Sequence, residues 1–249
     1  MLPIGDNPGP RRRMPYVNYG LIALNVLVFG LEALNGACFQ IAYSEIPAAI
    51  LAGQPAQIQG CPYGQPSPVW ITLFTSMFLH ANLLHIAGNM LYLWIFGDNV
   101  EDRLGHIGYL VFYLFCGLAA DAAQIAVDPS STVPNLGASG AIAGVLGAYL
   151  VFYPGSRVRT LVFLGFFVTI ANLSAVIVIG LWFVLQVVSG VAGLGSVQQG
   201  GVAYFAHIGG FVAGAAIALL LRLVLKPPAY PVSYPNWPVH PELRDADSS

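Results

Sequence analysis

The chain has 249 residues, 57% of them hydrophobic and 8% charged, with a formal net charge of -2 and a mean hydropathy of +0.71. Ordinary soluble domains carry about 25% charged residues, so this composition excludes a soluble globular domain and points to a polytopic membrane protein. The near-neutral balance and the single basic run Arg11-Arg12-Arg13 give nucleic acid no electrostatic footing.

Residues 1–15 hold four prolines and three arginines without apolar periodicity and read as a flexible cytoplasmic tail. A bilayer-crossing helix needs about 20 apolar residues. Six stretches approach that length: 17–34, 79–97, 107–127, 137–153, 173–193 and 204–225. The first follows the arginines but ends in no Ala-x-Ala cleavage site, so it reads as a retained anchor. The loop at 35–78 mixes apolar runs such as Ala48-Ala49-Ile50-Leu51 with five prolines, which suits an element lying in the interface. It also holds Cys38 and Cys61, a possible disulfide pair on an oxidising face, while Cys116 reads as a small packing residue within the third helix. The apolar stretch from Thr160 to Asn172 is short for a crossing and reads as a half-buried connector. Residues 227–249 hold six prolines and read as a second cytoplasmic tail, leaving a core at 16–226. The predicted fold is thus all-α, a six-helix polytopic bundle.

Orientation follows from the basic residues, which concentrate in cytoplasmic loops. With the N-terminus inside, the inner segments hold Arg11, Arg12, Arg13, Arg103, Arg157, Arg159, Arg222, Lys226 and Arg244, all nine basic residues of the chain. The outer segments, 35–78, 128–136 and 194–203, hold none. An even number of crossings with both termini cytoplasmic is the expectation.

Polar groups inside a bilayer are costly, and each requires a reason. His80, His85 and Asn89 open the second helix, with His85 and Asn89 four residues apart on one face. Ser139 lies in Gly137-Ala138-Ser139-Gly140 at the start of the fourth, and His207 lies in Ala206-His207-Ile208-Gly209-Gly210 at the start of the sixth. Under the derived topology these three helices enter from outside, so the groups share a depth. Gly140, Gly144 and Gly147 give the fourth helix a flat face, and Gly210 and Gly214 give the sixth a matching one, as close approach in lipid requires. Alone, Ser139 would more often be a helix cap and His207 an interhelical hydrogen bonder. Together at one depth they read as a nucleophile and its base. His85, Asn89 and backbone N–H groups near Ser139 are placed to serve an oxyanion. No carboxylate at that depth has a claim to orient His207, so the reading is a dyad.

These motifs resemble the rhomboid intramembrane serine proteases: His80-x-x-x-x-His85-x-x-x-Asn89, Gly137-x-Ser139-Gly140, Ala206-His207-x-x-Gly210, and Glu101-x-x-x-Gly105 after the second helix. The resemblance spans about 16–226. It implies Ser139 as nucleophile, His207 as base, and His85 and Asn89 as oxyanion support, in an endopeptidase cutting transmembrane protein substrates in or near the bilayer without metal or cofactor. It implies an integral multi-pass protein, in a bacterial plasma membrane, with the site opening to the extracytoplasmic side and helix five beside the substrate gate. Two departures stand out: Trp70 is followed by Ile71 where family members often carry arginine, and Ala143 stands where some carry a tyrosine packed on the histidine. A catalytically inactive relative that binds membrane clients and a small multipass transporter are the alternatives. Retention of both Ser139 and His207 argues against the first, and the absence of inverted repeats or midplane charges argues against the second.

Overall fold

The computed structural model describes residues 1–7, 13–165, 167–194 and 202–225. Helices dominate: α1 (Tyr16–Tyr43), α2 (Pro47–Ala52), α3 (Thr72–Thr75), α4 (Leu83–Tyr92), α5 (Asp98–Leu104), α6 (His106–Val127), α7 (Ser139–Phe152), α8 (Ala175–Ala192) and α9 (Tyr204–Val224). A π-helical turn, Leu93–Gly97, joins α4 to α5. Four helices, α1, α6, α8 and α9, are long and apolar enough to cross a membrane. Val69–Phe78 and Leu83–Leu104, bent by 78°, make a fifth if counted as one span. Helix α7 has 14 residues, about 21 Å at the usual rise, and falls short of a full crossing by length.

The chain is therefore an integral multi-pass membrane protein, mostly helical. The all-α expectation needs correction, because strands β1 (Leu2–Asn7), β2 (Arg157–Leu164) and β3 (Phe167–Ser174) form an antiparallel sheet in the order β1-β2-β3. The stretch expected to be a half-buried connector is thus a β-hairpin, paired from Arg157↔Ser174 to Leu164↔Phe167. Its physical basis is a run rich in Val, Phe, Ile and Thr, which favours strands, broken by Gly165, whose φ of 62° turns the chain. Part of the segment expected to be a free N-terminal tail supplies β1. The C-terminal tail at 227–249 lies outside the described residues, as do 195–201 of the third outer segment.

Polar clamps tie α1 to the α5–α6 turn. Glu101 accepts hydrogen bonds from the N–H groups of Val17 (3.0 Å) and Asn18 (2.7 Å), so a carboxylate satisfies the unpaired donors at the start of α1 and meets its positive dipole end. The same carboxyl lies 2.5 Å from His106 Nδ1, and the Arg13 N–H donates to Asp102 at 2.7 Å. On the same end of the bundle, Tyr149 and Asn99 donate to Asp6 of β1 at 2.6 and 2.9 Å. The start of α1, the α5–α6 turn and the sheet thus share one side.

At the other end, Cys38 and Cys61 are joined in a disulfide. Glu32 is buried: its two oxygens accept from the His80 N–H at 3.0 and 3.1 Å, and Gln40 donates to the His80 carbonyl at 2.8 Å. Asp121 is buried too. Glu45 pairs its backbone with Asn135 in both directions, at 2.9 and 2.7 Å, tying the first loop to the segment before α7. The Glu45 side chain is fully buried, and neither carboxyl oxygen has a hydrogen-bond partner among the described residues.

The core centres on α7, where every residue from Gly140 to Tyr149 is buried. It packs on α9 almost backbone to backbone. A methyl group on Gly210 would strike the Gly140 carbonyl, one on Gly214 the Gly144 carbonyl, and one on Gly147 the Phe211 carbonyl. On its other side Gly140 leaves room for Ala120 and Gly144 for Cys116, both on α6.

Gly144→Leu is expected to cost at least about 3 kcal/mol, because a side chain there would strike the buried Cys116 of α6 and the Gly210 carbonyl of α9. Gly30→Leu, at a position with nothing within 4 Å, should leave the apparent melting temperature in detergent nearly unchanged. Burial pushes the Glu45 carboxyl from 4.5 up to about 7, with the Asn135 side chain a smaller opposing influence. A carboxyl raised on folding stabilises fully only below its unfolded value, and that contribution is lost as pH rises towards 7. Stability should therefore fall by about 2 kcal/mol from pH 5 to pH 8, and Glu45→Gln should flatten that fall in pH-dependent thermal melts.

Candidate active site

Ser139 is the first residue of α7, and the structure brings it to His207 on the first turn of α9. Ser139 Oγ lies 2.8 Å from His207 Nε2, across 68 positions of sequence. The approach is a direct consequence of the glycine contact between α7 and α9, since any larger residue at Gly210 or Gly214 would hold the helices apart. The His207 side chain is largely enclosed, with the residue 8% exposed.

Two residues of α8 hold the imidazole, and the sequence reading missed both. Gln186 Oε1 is 2.8 Å from His207 Nδ1, and Gln186 Nε2 donates to the Trp182 carbonyl at 3.3 Å. The Trp182 ring lies tilted against the His207 ring with centroids 5.7 Å apart. This answers the question raised by Ala143: the ring is supported from α8. The available signal was Gln186 itself, a primary amide within an otherwise apolar helix, since intramembrane polar groups call for an explanation.

His85 and Asn89 occupy one face of α4, as expected. The helix begins later than predicted, with Asn82 capping it through the His85 N–H at 2.9 Å. His80 therefore precedes the helix rather than opening it. Its fully buried ring lies edge-on to His85, centroids 5.1 Å apart, and neither nitrogen has a hydrogen-bond partner among the described residues. The Ala81 N–H donates to His85 Nδ1 at 3.3 Å, which leaves the proton on Nε2. That nitrogen approaches the backbone at Gly137: a methyl there would sit 2.9 Å from both Nε2 and Cε1 of the ring. Gly137 also has a φ of 133°, so both its conformation and its contact call for glycine.

Unpaired donors gather beside Ser139. Asn89 Nδ2 is buried with no partner among the described residues. The first intrahelical bond of α7 runs from the Ile142 N–H to the Ala138 carbonyl, so the N–H groups of Ser139, Gly140 and Ala141 have no intrahelical acceptor. A cavity of about 1030 Å³ opens onto Ser139, His207, His85, Asn89, Tyr92 and Trp182. A serine within hydrogen-bond distance of an imidazole, with donors beside the same space, can carry out nucleophilic acyl transfer.

The family model described as Rhomboid domain matches residues 67–223. The rhomboid protease GluP of Bacillus subtilis is 34% identical over 82% of this chain and 35% of its own length. The chloroplastic rhomboid-like protein 11 of Arabidopsis thaliana is 30% identical over 62% of this chain and 53% of its own. The human mitochondrial presenilin-associated rhomboid-like protein is 31% identical over 59% of this chain and 35% of its own. The chain spans roughly a third to a half of the length of these relatives. With the family model covering most of α3 through α9, the chain belongs to the rhomboid family.

Proposed function

We propose that this chain is an intramembrane serine endopeptidase acting through Ser139 and His207 on transmembrane protein substrates. The observation that carries this reading is the 2.8 Å contact between Ser139 Oγ and His207 Nε2 beside a cavity with unpaired donors. The Ser139 hydroxyl proton passes to His207 Nε2 as Oγ bonds to the scissile carbonyl carbon, and the carbonyl oxygen takes the negative charge. His85 Nε2–H, Asn89 Nδ2–H and the N–H groups at the start of α7 meet that charge, helped by the helix dipole. When the C–N bond breaks, His207 returns the proton to the leaving amine. Water, deprotonated by the same Nε2, then hydrolyses the acyl–Ser139 ester.

Six crossings with both termini cytoplasmic fit this reading. The Arg13–Asp102 contact joins the start of α1 to the α5–α6 turn, which supports two crossings between them. Pairing of β1 with β2 joins the N-terminal segment to the α7–α8 connection, which supports an even number of crossings between them, short α7 included. That side carries Arg13, Arg103, Arg157 and Arg159, as the positive-inside rule wants. The opposite end carries the Cys38–Cys61 disulfide, which suits an oxidising exterior. A helix of about 21 Å in a core of about 30 Å is expected to start beneath the outer surface, a setting that would hold Ser139 within the bilayer with water reaching it through the cavity. The setting we infer is a bacterial plasma membrane, although named relatives include mitochondrial and chloroplastic proteins.

Cleavage of a transmembrane reporter by the purified protein should fall by more than about 1,000-fold in Ser139→Ala. Equal cleavage by both proteins would refute the assignment, and reporter capture without cleavage by either would favour a client-binding relative. Asn89→Ala should lower kcat about 100-fold with KM little changed, the mark of a donor that acts on the oxyanion.

A further inference from the structure

Gln186 stands between an acceptor that cannot change its role and a base whose protonation matters. The Trp182 main-chain carbonyl can only accept a hydrogen bond, so the amide face turned to it must be Nε2, which lies 3.3 Å away. Oε1 is then the atom 2.8 Å from His207 Nδ1, and a carbonyl oxygen can only accept. A neutral imidazole carries one proton, and here it must sit on Nδ1. Nε2, 2.8 Å from Ser139 Oγ, is left with its lone pair toward the hydroxyl.

We infer that Gln186 is a positioning residue for His207: anchored by the Trp182 carbonyl, its amide selects the Nδ1–H tautomer and so keeps Nε2 free to receive the Ser139 proton. The inference rests on the proposed roles of Ser139 and His207. It adds a third, uncharged member where the sequence offered no carboxylate. The chemistry suits the location, since a carboxylate on α8, an otherwise apolar helix, would be a costly buried charge, whereas an amide orients the ring without one. The other tautomer would put Nε2–H against the hydroxyl, and the serine proton would have no acceptor.

The test combines nitrogen NMR of the full-length protein, labelled at histidine in detergent micelles, with cleavage kinetics over pH. The wild-type His207 signal should be that of the Nδ1–H tautomer. Gln186→Leu should shift it toward the Nε2–H form and lower kcat at least tenfold with KM within about twofold. Gln186→Glu should keep the wild-type tautomer and restore turnover at high pH. A carboxylate beside the ring favours imidazolium, so it should also move the acid limb of kcat/KM upward by about one pH unit or more. A Gln186→Leu protein with wild-type tautomer and kcat would overturn the proposal, as would an acid limb in Gln186→Glu at its wild-type position. If wild type and Ser139→Ala cleave alike, the assignment of the nucleophile fails; the nitrogen spectrum, which needs no turnover, still decides the tautomer.

Discussion

The contact between α7 and α9 is the constraint on which the rest of the site depends. Lipid offers no hydrophobic drive to bring two apolar helices together, so association rests on close packing and interhelical hydrogen bonds. Gly140, Gly144 and Gly147 on one helix and Gly210 and Gly214 on the other remove every side chain that would separate the backbones. The first turns of both helices then meet at hydrogen-bond distance, and those turns carry Ser139 and His207. The chemistry is placed by what is missing from the helix faces as much as by what is present.

Around that pair the other elements divide the work. Helix α6 fills the second side of α7, with Ala120 and Cys116 against Gly140 and Gly144. Helix α4 brings His85 and Asn89, and its entry is fixed by Glu32 and Gln40 of α1 holding the His80 backbone. Helix α8 supports the imidazole from the side, by Gln186 in the plane of the hydrogen bond and by the Trp182 ring. The Glu45–Asn135 backbone pair ties the first loop to the segment that leads into Ser139.

Much of this was legible before the fold was known, and the exceptions have physical reasons. The apolar lengths located α1, α4, α6, α7, α8 and α9, and the small-residue spacings identified the α7 and α9 faces, because both signals are local. Strand β1 was not legible, since its partner lies about 150 positions away and nothing at 2–7 announces it. The 157–174 hairpin was hidden by its own hydrophobicity: a continuous apolar run does not separate strand from helix by periodicity, and only Gly165 and the β-branched content favoured the turn. The burial of Glu32 and Asp121 was not legible either, because it depends on tertiary partners. Gln186 was hidden because the paired polar signals sit at the starts of helices, whereas it reaches the site from about two thirds of the way along α8. His207 needed a support that Ala143 could not give, and that gap was the clue.

The central claim is that His207 activates Ser139 as a nucleophile inside the bundle. Its most direct measure is covalent capture: the purified full-length protein is treated with a fluorophosphonate, and the modified residue is located by mass spectrometry. The account predicts a single adduct, on Ser139, that is lost in His207→Ala. An adduct on another serine, or an unchanged rate of Ser139 labelling in His207→Ala, would contradict it.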